Sequence, residues 1–301
     1  NIKKDNALSE AISVENFNNS TFENSGIIKS TINNKLDKNA SAILYLNSSN
    51  STISNEGTGK IYGNIVLKGD TTFNNKGFIS LPYNANKNAY FIFNDNGIDE
   101  TISLRPSFGN FTNSGTIEIG AFKNSNSKIE NTQILTKNAT FNAGSKLNVR
   151  VEAGSKAFVK GDKLEQVISA TNSLTINELK VNSATLEFEE VEVKPLAANN
   201  NVKYIDLVVS KVNAFEEAGN TQGNATNVSQ VLNKLRTDPN LGSLFANLDN
   251  LNEADLNRAL DTLVPTIAAA IANTSSQIST SVSNVVSSRN RLGANSGDEM
   301  V

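Results

Sequence analysis

Three stretches of this 301-residue chain hold residue types that could do chemistry. The first is Asn-Ser-Gly-Asp at 295–298, which resembles the surroundings of a serine nucleophile. A serine needs a base to take its proton, and the chain has no histidine and no cysteine. That excludes a Ser-His-Asp triad, a thiolate nucleophile and a zinc site of the usual ligands, so Ser296 reads as part of a tail loop. The second stretch, "NDNGIDE" (94–100), gathers the oxygens of Asp95, Asp99 and Glu100. It lacks the alternating acids and the terminal Glu of an EF-hand loop, and Asp95 also occupies a turn position that recurs along the chain, which explains it without calcium. The third, "EFEEVEV" (187–193), places Glu187 and Glu189 two residues apart. That spacing describes the solvent face of a strand better than an acid/base pair. No catalytic, metal or cofactor-binding residue is therefore assigned, no binding residue is singled out, and no cofactor is expected.

The bulk properties narrow the classes further. Lys and Arg number 27 against 30 Asp and Glu, a net charge of −3 without a long basic run, so a nucleic-acid partner is not expected. Without cysteine there is no disulfide framework, and burial and hydrogen bonds must hold the fold. The opening "NIKKDNALSEAISV" has neither Met nor an apolar run long enough for a signal peptide, and reads as a cut inside a larger protein. No stretch has the length and apolarity of a membrane-spanning helix.

What must position any working residue is a repeat. An aromatic or β-branched residue is followed two positions later by Asn or Asp and four positions later by Gly. The copies are Phe22-Asn24-Gly26, Ile53-Asn55-Gly57, Phe73-Asn75-Gly77, Phe93-Asp95-Gly97 and Phe111-Asn113-Gly115, with a degenerate copy at Phe141 and Gly144. The starts are 31, 20, 20, 18 and 30 residues apart, one unit of about 20 with loops in two places. The expected mechanics are a strand ending on an inward Phe or Ile, and a corner in which Asn and Gly adopt left-handed backbone. Ile28, Ile79, Ile117 and Leu147 then open the next strand on the inner face. Such a unit cannot bury its own apolar face and must stack on its neighbours. The expected fold class is all-β, a right-handed parallel β-helix with a small α-helical region after it. Residues 1–137 are its coils and 138–215 its last, longer-stranded coils, where Leu147, Val149 and Val151 alternate with polar residues.

After Gly219 the apolar period changes from 2 to 3.6. Val228, Val231, Leu232 and Leu235 form one stripe, Leu241, Leu244, Phe245 and Leu248 a second, and Leu256, Ala259, Leu260 and Leu263 a third. Asn227 with Gln230, Asp238 before Pro239, and Asn252 with Asp255 supply start signals. Residues 216–264 are thus expected as short helices. Beyond Pro265, residues 265–293 keep helical spacing among Ala, Ser, Thr and Asn with no charge before Arg289, which suits a slender helix in a wet channel. Residues 294–301 form a tail.

This succession resembles the C-terminal part of the passenger of a Gram-negative autotransporter (type V secretion). Three features carry the resemblance: the Phe-x-Asn-x-Gly coils, the stretch Phe141–Val167 with Gly161-Asp-Lys-Leu164, and "LNEADLNRALDTLVP" with "SSRNRLG" at 287–293. The resemblance implies an exported β-helix and an autochaperone-like segment at 138–215. It also implies that 265–293 is the helix inside an outer-membrane β-barrel that would follow 294–301. It implies a bacterial surface or secreted location, reached through the periplasm. The function expected on this basis is adhesion or colonisation, without catalysis, with a host cell, matrix or sibling bacterium as partner. Two alternatives stay open: a passive stalk for an upstream enzyme or toxin domain, and a β-helical polysaccharide-cleaving enzyme, for which acids converging in a groove would speak.

Overall fold

The computed structural model describes residues 11–15, 18–29, 31–32, 35–36, 41–81, 83, 90–93, 99–102, 107–152, 154–196, 199–236, 238–251 and 253–263. The region expected as a channel helix, 265–293, and the tail 294–301 lie outside them. The chain divides into two compact units, one of Asn1–Val212 with Pro239–Asn250, the other of Asn213–Asp238 with Leu251–Val301.

The first unit is mostly β-strand and its sheets are mostly parallel. Its larger sheet runs through Thr21–Asn24, Ser41–Asn55, Asn64–Asn75, Ser107–Asn113, Ile134–Phe141 and Lys163–Ile176, each parallel to the next. Its second sheet runs through Ile27–Lys29, Lys60–Tyr62, Phe78–Leu81, Thr116–Lys123, Lys146–Val151 and Lys180–Asn182, again all parallel. Both sheets are open. The chain supplies the larger sheet and then the second sheet in alternation, across Asn-x-Gly corners at Asn24, Asn75 and Asn113 and different corners elsewhere. Only after Lys163–Ile176 does the pattern reverse, when Asn199–Val212 pairs antiparallel with it.

Register explains the repeat. Phe22 lies opposite Ile53, Ile53 opposite Phe73 and Phe73 opposite Phe111. In the second sheet Ile28, Ile61, Ile79, Ile117, Leu147 and Val181 follow one another in the same way. Ile53, Phe73, Phe111, Ile61, Ile79, Ile117 and Leu147 are all buried. Like sits on like, so a single inward pattern serves every pass.

Four details differ from the sequence expectation. The copy at Phe93 does not join the stack, because Tyr90–Phe93 pairs antiparallel with Asp99–Ile102 while Ser107–Asn113 pairs directly with Asn64–Asn75. The degenerate copy is out of register too, with Ala139 opposite Phe111 and Phe141 opposite Asn113. In the second copy the corner glycine is Gly59, not Gly57: Lys60 N donates to Gly26 O, Phe78 N to Gly59 O and Thr116 N to Gly77 O. Finally, Asn24, Asn55, Asn75 and Asn113 and the glycines Gly26, Gly59, Gly77 and Gly115 are not left-handed; among the described glycines of the repeat only Gly144, in the degenerate copy, has a positive φ, 87°.

Two other forces select Asn and Gly at the corners. The carboxamides form a buried ladder: Asn24 Nδ2 donates to Asn55 Oδ1 at 2.8 Å, Asn55 to Asn75 at 2.8 Å and Asn75 to Asn113 at 2.7 Å. Buried polar groups are tolerated when paired, and an amide is both donor and acceptor, so it can hand the bond on indefinitely. The glycines are needed for close approach. A Cβ on Gly77 would stand 2.3 Å from Gly59 O, and one on Gly115 would stand 2.2 Å from Gly77 O. The ladder stops at Asn113, whose Nδ2 turns to Gly115 O at 3.0 Å. There the buried Ser145 hydroxyl donates to Asn113 O at 2.8 Å.

The first unit also takes in the helix α3 (Gly242–Leu248), which follows a 3-10 turn at Pro239–Leu241. Ala246 belongs to the hydrophobic core. Asn250 continues the second sheet by side chain: Val151 N donates to its Oδ1 at 2.7 Å, and its Nδ2 donates back to Val151 O.

The second unit contains α1 (Phe215–Ala218), α2 (Asn224–Lys234) and α4 (Glu253–Thr262). Phe215, Val228, Leu232, Leu256 and Leu260 are buried, and the Arg236 guanidinium lies 4.2 Å above the Phe215 ring. Helix α2 begins at Asn224 with Gly223 at its cap, four residues before the expected cap Asn227. The short α1 carries no full apolar period and went unread in the sequence.

Candidate functional site

Alternation on the second sheet sends Ile79, Ile117, Leu147 and Val149 inward and leaves Ser80, Glu118, Gly120 and Arg150 on the other face. Register places Ser80 opposite Glu118 and Gly120 opposite Arg150. There the polar side chains converge. Arg150 Nη1 is 2.7 Å from Glu118 Oε1 and Nη2 is 3.0 Å from Glu152 Oε1. The Ser80 hydroxyl donates to Glu118 Oε1 at 2.7 Å, and the Tyr83 backbone N–H to Glu152 Oε1 at 3.3 Å. The Tyr83 phenol donates to the Glu130 carboxylate, which also pairs with Lys128 at 2.9 Å. Gly120 makes room for this: a Cβ there would sit 2.4 Å from Glu152 Oε1 and 2.5 Å from Tyr83 N.

The chemistry open to the cluster follows from who holds whom. A general acid needs a labile proton and a general base a carboxylate free to take one. Glu118 and Glu152 are each engaged by the same guanidinium, and Glu130 by a phenol and a lysine. The arrangement laces successive strands together across the face of the sheet. Among the described residues, no group of three or more acids is placed to hold a metal ion.

Tyr83 reports on this lacing. Burial raises its phenol pKa well above the usual 10.0, and the hydrogen bond to Glu130 and the nearby carboxylates add to the shift. The folded state therefore keeps a proton that the unfolded chain releases near pH 10, so stability falls as pH rises beyond that point. In an absorbance titration Tyr83 is expected to ionise above the ordinary phenol range. Tyr83→Phe is expected to flatten the alkaline loss of stability. Equal alkaline slopes for the two proteins would show that the phenol is not held.

Two further ion pairs lie nearby in the same unit. Lys123 and Asp162 meet at 2.7 Å with side chains only 9% and 13% exposed. Lys163 lies 2.9 Å from Asp206, whose hydrogen bond raises the lysine pKa. In the helical unit a shallow hollow is lined by Gly219, Asn220, Gln222, Glu253, Ala254 and Asn257.

The residues singled out in the sequence are not brought together. Asp95 and the Asn-Ser-Gly-Asp stretch at 295–298 lie outside the described residues. Asp99 and Glu100 pair by backbone with Phe93 and Ile92. Glu187 and Glu189 are exposed, and Glu187 is 3.8 Å from Lys211. The cluster around Arg150 went unread, because its members are assembled by register: Arg150 and Glu118 are 32 residues apart. The available signal was the outward Glu of "TIEIG" and the outward Arg of "LNVRVE".

Fold and cluster together define a mostly parallel β-rich unit joined in sequence to a small helical one. Compared with protein-family models, curated proteins and solved structures, the chain has no match.

Proposed function

We propose that this chain is the passenger part of an autotransporter, wound as a right-handed parallel β-helix and carried to the bacterial surface or released. Its work there is adhesion without catalysis, on a host cell, matrix or sibling bacterium. One observation supports this above the rest: equivalent residues of successive passes stand opposite one another in two parallel sheets. A chain wound that way repeats one outer surface along its length, and many weak contacts sum on a stiff support. Residues 265–293 are read as the helix that enters an outer-membrane barrel beyond 301.

Beads coated with residues 1–301 test the reading against cultured epithelial cells, matrix-coated wells and whole bacteria. Saturable retention on at least one surface is expected, competed by free protein. If the folded chain is retained on none of them beyond an unrelated β-protein, the adhesive role is wrong and a passive stalk takes its place.

A further inference from the structure

The outward positions of the larger sheet carry a pattern that its inward stack does not require. Flanking the buried Ile53, Phe73, Phe111 and Ala139, two rows run across the strands. In one, Thr52, Thr72, Asn110, Asn138 and Ser173 stand opposite one another in turn. In the other, Ser54, Asn74, Thr112, Thr140 and Thr175 do the same. All ten are half-buried or exposed, and all are uncharged and either hydroxyl or amide. Neighbouring strands put these groups at a pitch of about 4.8 Å across the sheet, and alternate residues at about 6.7 Å along it.

The rows are ordered and neutral. Asn138 Nδ2 donates to Asn110 Oδ1 at 2.8 Å, and Asn138 Oδ1 in turn accepts from Ser173 Oγ at 2.8 Å and Asn172 Nδ2 at 2.6 Å. Among the described residues, the hydroxyls of Thr52, Thr72, Thr112, Thr140 and Thr175 have no hydrogen-bond partner, and they remain open to one. Charges at the borders answer each other, Asp70 with Lys137 at 3.8 Å and Glu56 with Lys76 at 3.0 Å. Only Glu23, opposite Ser54 at one end of the second row, is ionic.

We propose that this face is a docking surface for a neutral, extended polysaccharide strand. The inference rests on the display reading and names its partner. A polyanionic glycan or a nucleic acid would need the Lys and Arg that the rows lack. A protein partner would need the aromatic and Arg anchors of an interface core, also missing from them. A neutral glycan offers what the rows can take: hydroxyls and amides repeated along a line, with no charge to desolvate. The strands already hold the protein's groups in place, so little ordering is lost on binding, and repetition over five strands multiplies individually weak bonds.

The test uses the whole chain with hexamers of β-1,4-linked glucose and of β-1,4-linked N-acetylglucosamine, heparin as the charged comparison, and titration calorimetry. Binding of at least one neutral hexamer is expected, changing less than about twofold between roughly 0.05 and 0.5 M salt. Thr112→Lys is expected to weaken it about tenfold or more while leaving the urea midpoint nearly unchanged, and Thr112→Ser to retain it. Thr140→Lys replaces the first variant if that fails to fold. Binding of heparin alone, binding of neither hexamer, or equal binding by the Lys variant overturns the proposal. So does a concentration-dependent dimer lost in the Lys variant, which would give the face to a second copy. Adhesion is measured on the same preparations. Adhesion without hexamer binding sinks this proposal and leaves the adhesive role standing, whereas hexamer binding without adhesion does the reverse.

Discussion

Phe111→Ala is expected to lower the stability of the β unit by about 3–5 kcal/mol. Phe111 is 2% exposed and sits in the middle of the stack. Its ring lies parallel to Phe73 at 5.8 Å and edge-on to Phe141 at 5.9 Å. Truncation removes the ring from both contacts at once and leaves a cavity that rigid strands on either side cannot close. The backbone there is held by register to Phe73 and Ala139, so relaxation is small and the cost belongs at the upper end of its class. Urea unfolding of the whole chain is the measurement, with the midpoint falling at nearly constant slope. Phe111→Leu should recover most of the loss. A midpoint change equivalent to less than about 1 kcal/mol for the Ala variant would mean that the ring is not part of the stack.

Asn75→Ala attacks the other repeated element. Asn75 is 1% exposed; it accepts from Asn55 at 2.8 Å and donates to Asn113 at 2.7 Å. Removing its amide leaves a donor above and an acceptor below, both away from water, at about 1–3 kcal/mol for each group. A total loss of roughly 2–6 kcal/mol is therefore expected. Asn75→Asp separates hydrogen bonding from shape. Its ionised carboxylate still accepts from Asn55 but faces the Asn113 oxygen with no proton. Burial and that facing acceptor raise its folded-state pKa above the unfolded value. The protonated form, which restores the donor, is favoured below the unfolded pKa. The variant's deficit relative to wild type should thus be least in mild acid and grow as pH rises through the carboxylate range. A deficit independent of pH would argue against the ladder's direction. Changing Asn55, Asn75 and Asn113 together to Leu should cost less than three times the single Ala loss, because within the ladder only Asn24 then loses its partner.

Some of this was legible in the chain and some was not, and the reason differs by residue. Phe22, Ile53, Phe73 and Phe111 announced an inward stack because a repeated core needs the same residue type at the same place in each pass. The helices α2, α3 and α4 announced themselves by their 3.6-residue period. Asn55 and Gly77 were noticed for the wrong cause: single-chain logic assigns Asn and Gly to left-handed turns, whereas amide ladders and carbonyl contacts exist only between passes. Phe93 matched the repeat and yet stands outside it, since a hairpin can carry the same spacing without stacking. Arg150, Glu118 and Glu152 showed locally only that each faces outward; which strands bring them together was not written there.

The sequence by itself determined that the chain builds from repeated β units followed by helices, and that histidine and thiol chemistry are absent, because periodicity and composition are properties of the chain alone. The tertiary structure decided which copies stack, where the ladder ends, that α3 joins the β unit, and which polar groups face one another in rows on the outer sheet. Those are questions of register across 20 to 38 residues. Register is settled by cross-strand hydrogen bonds and packing that no local stretch contains.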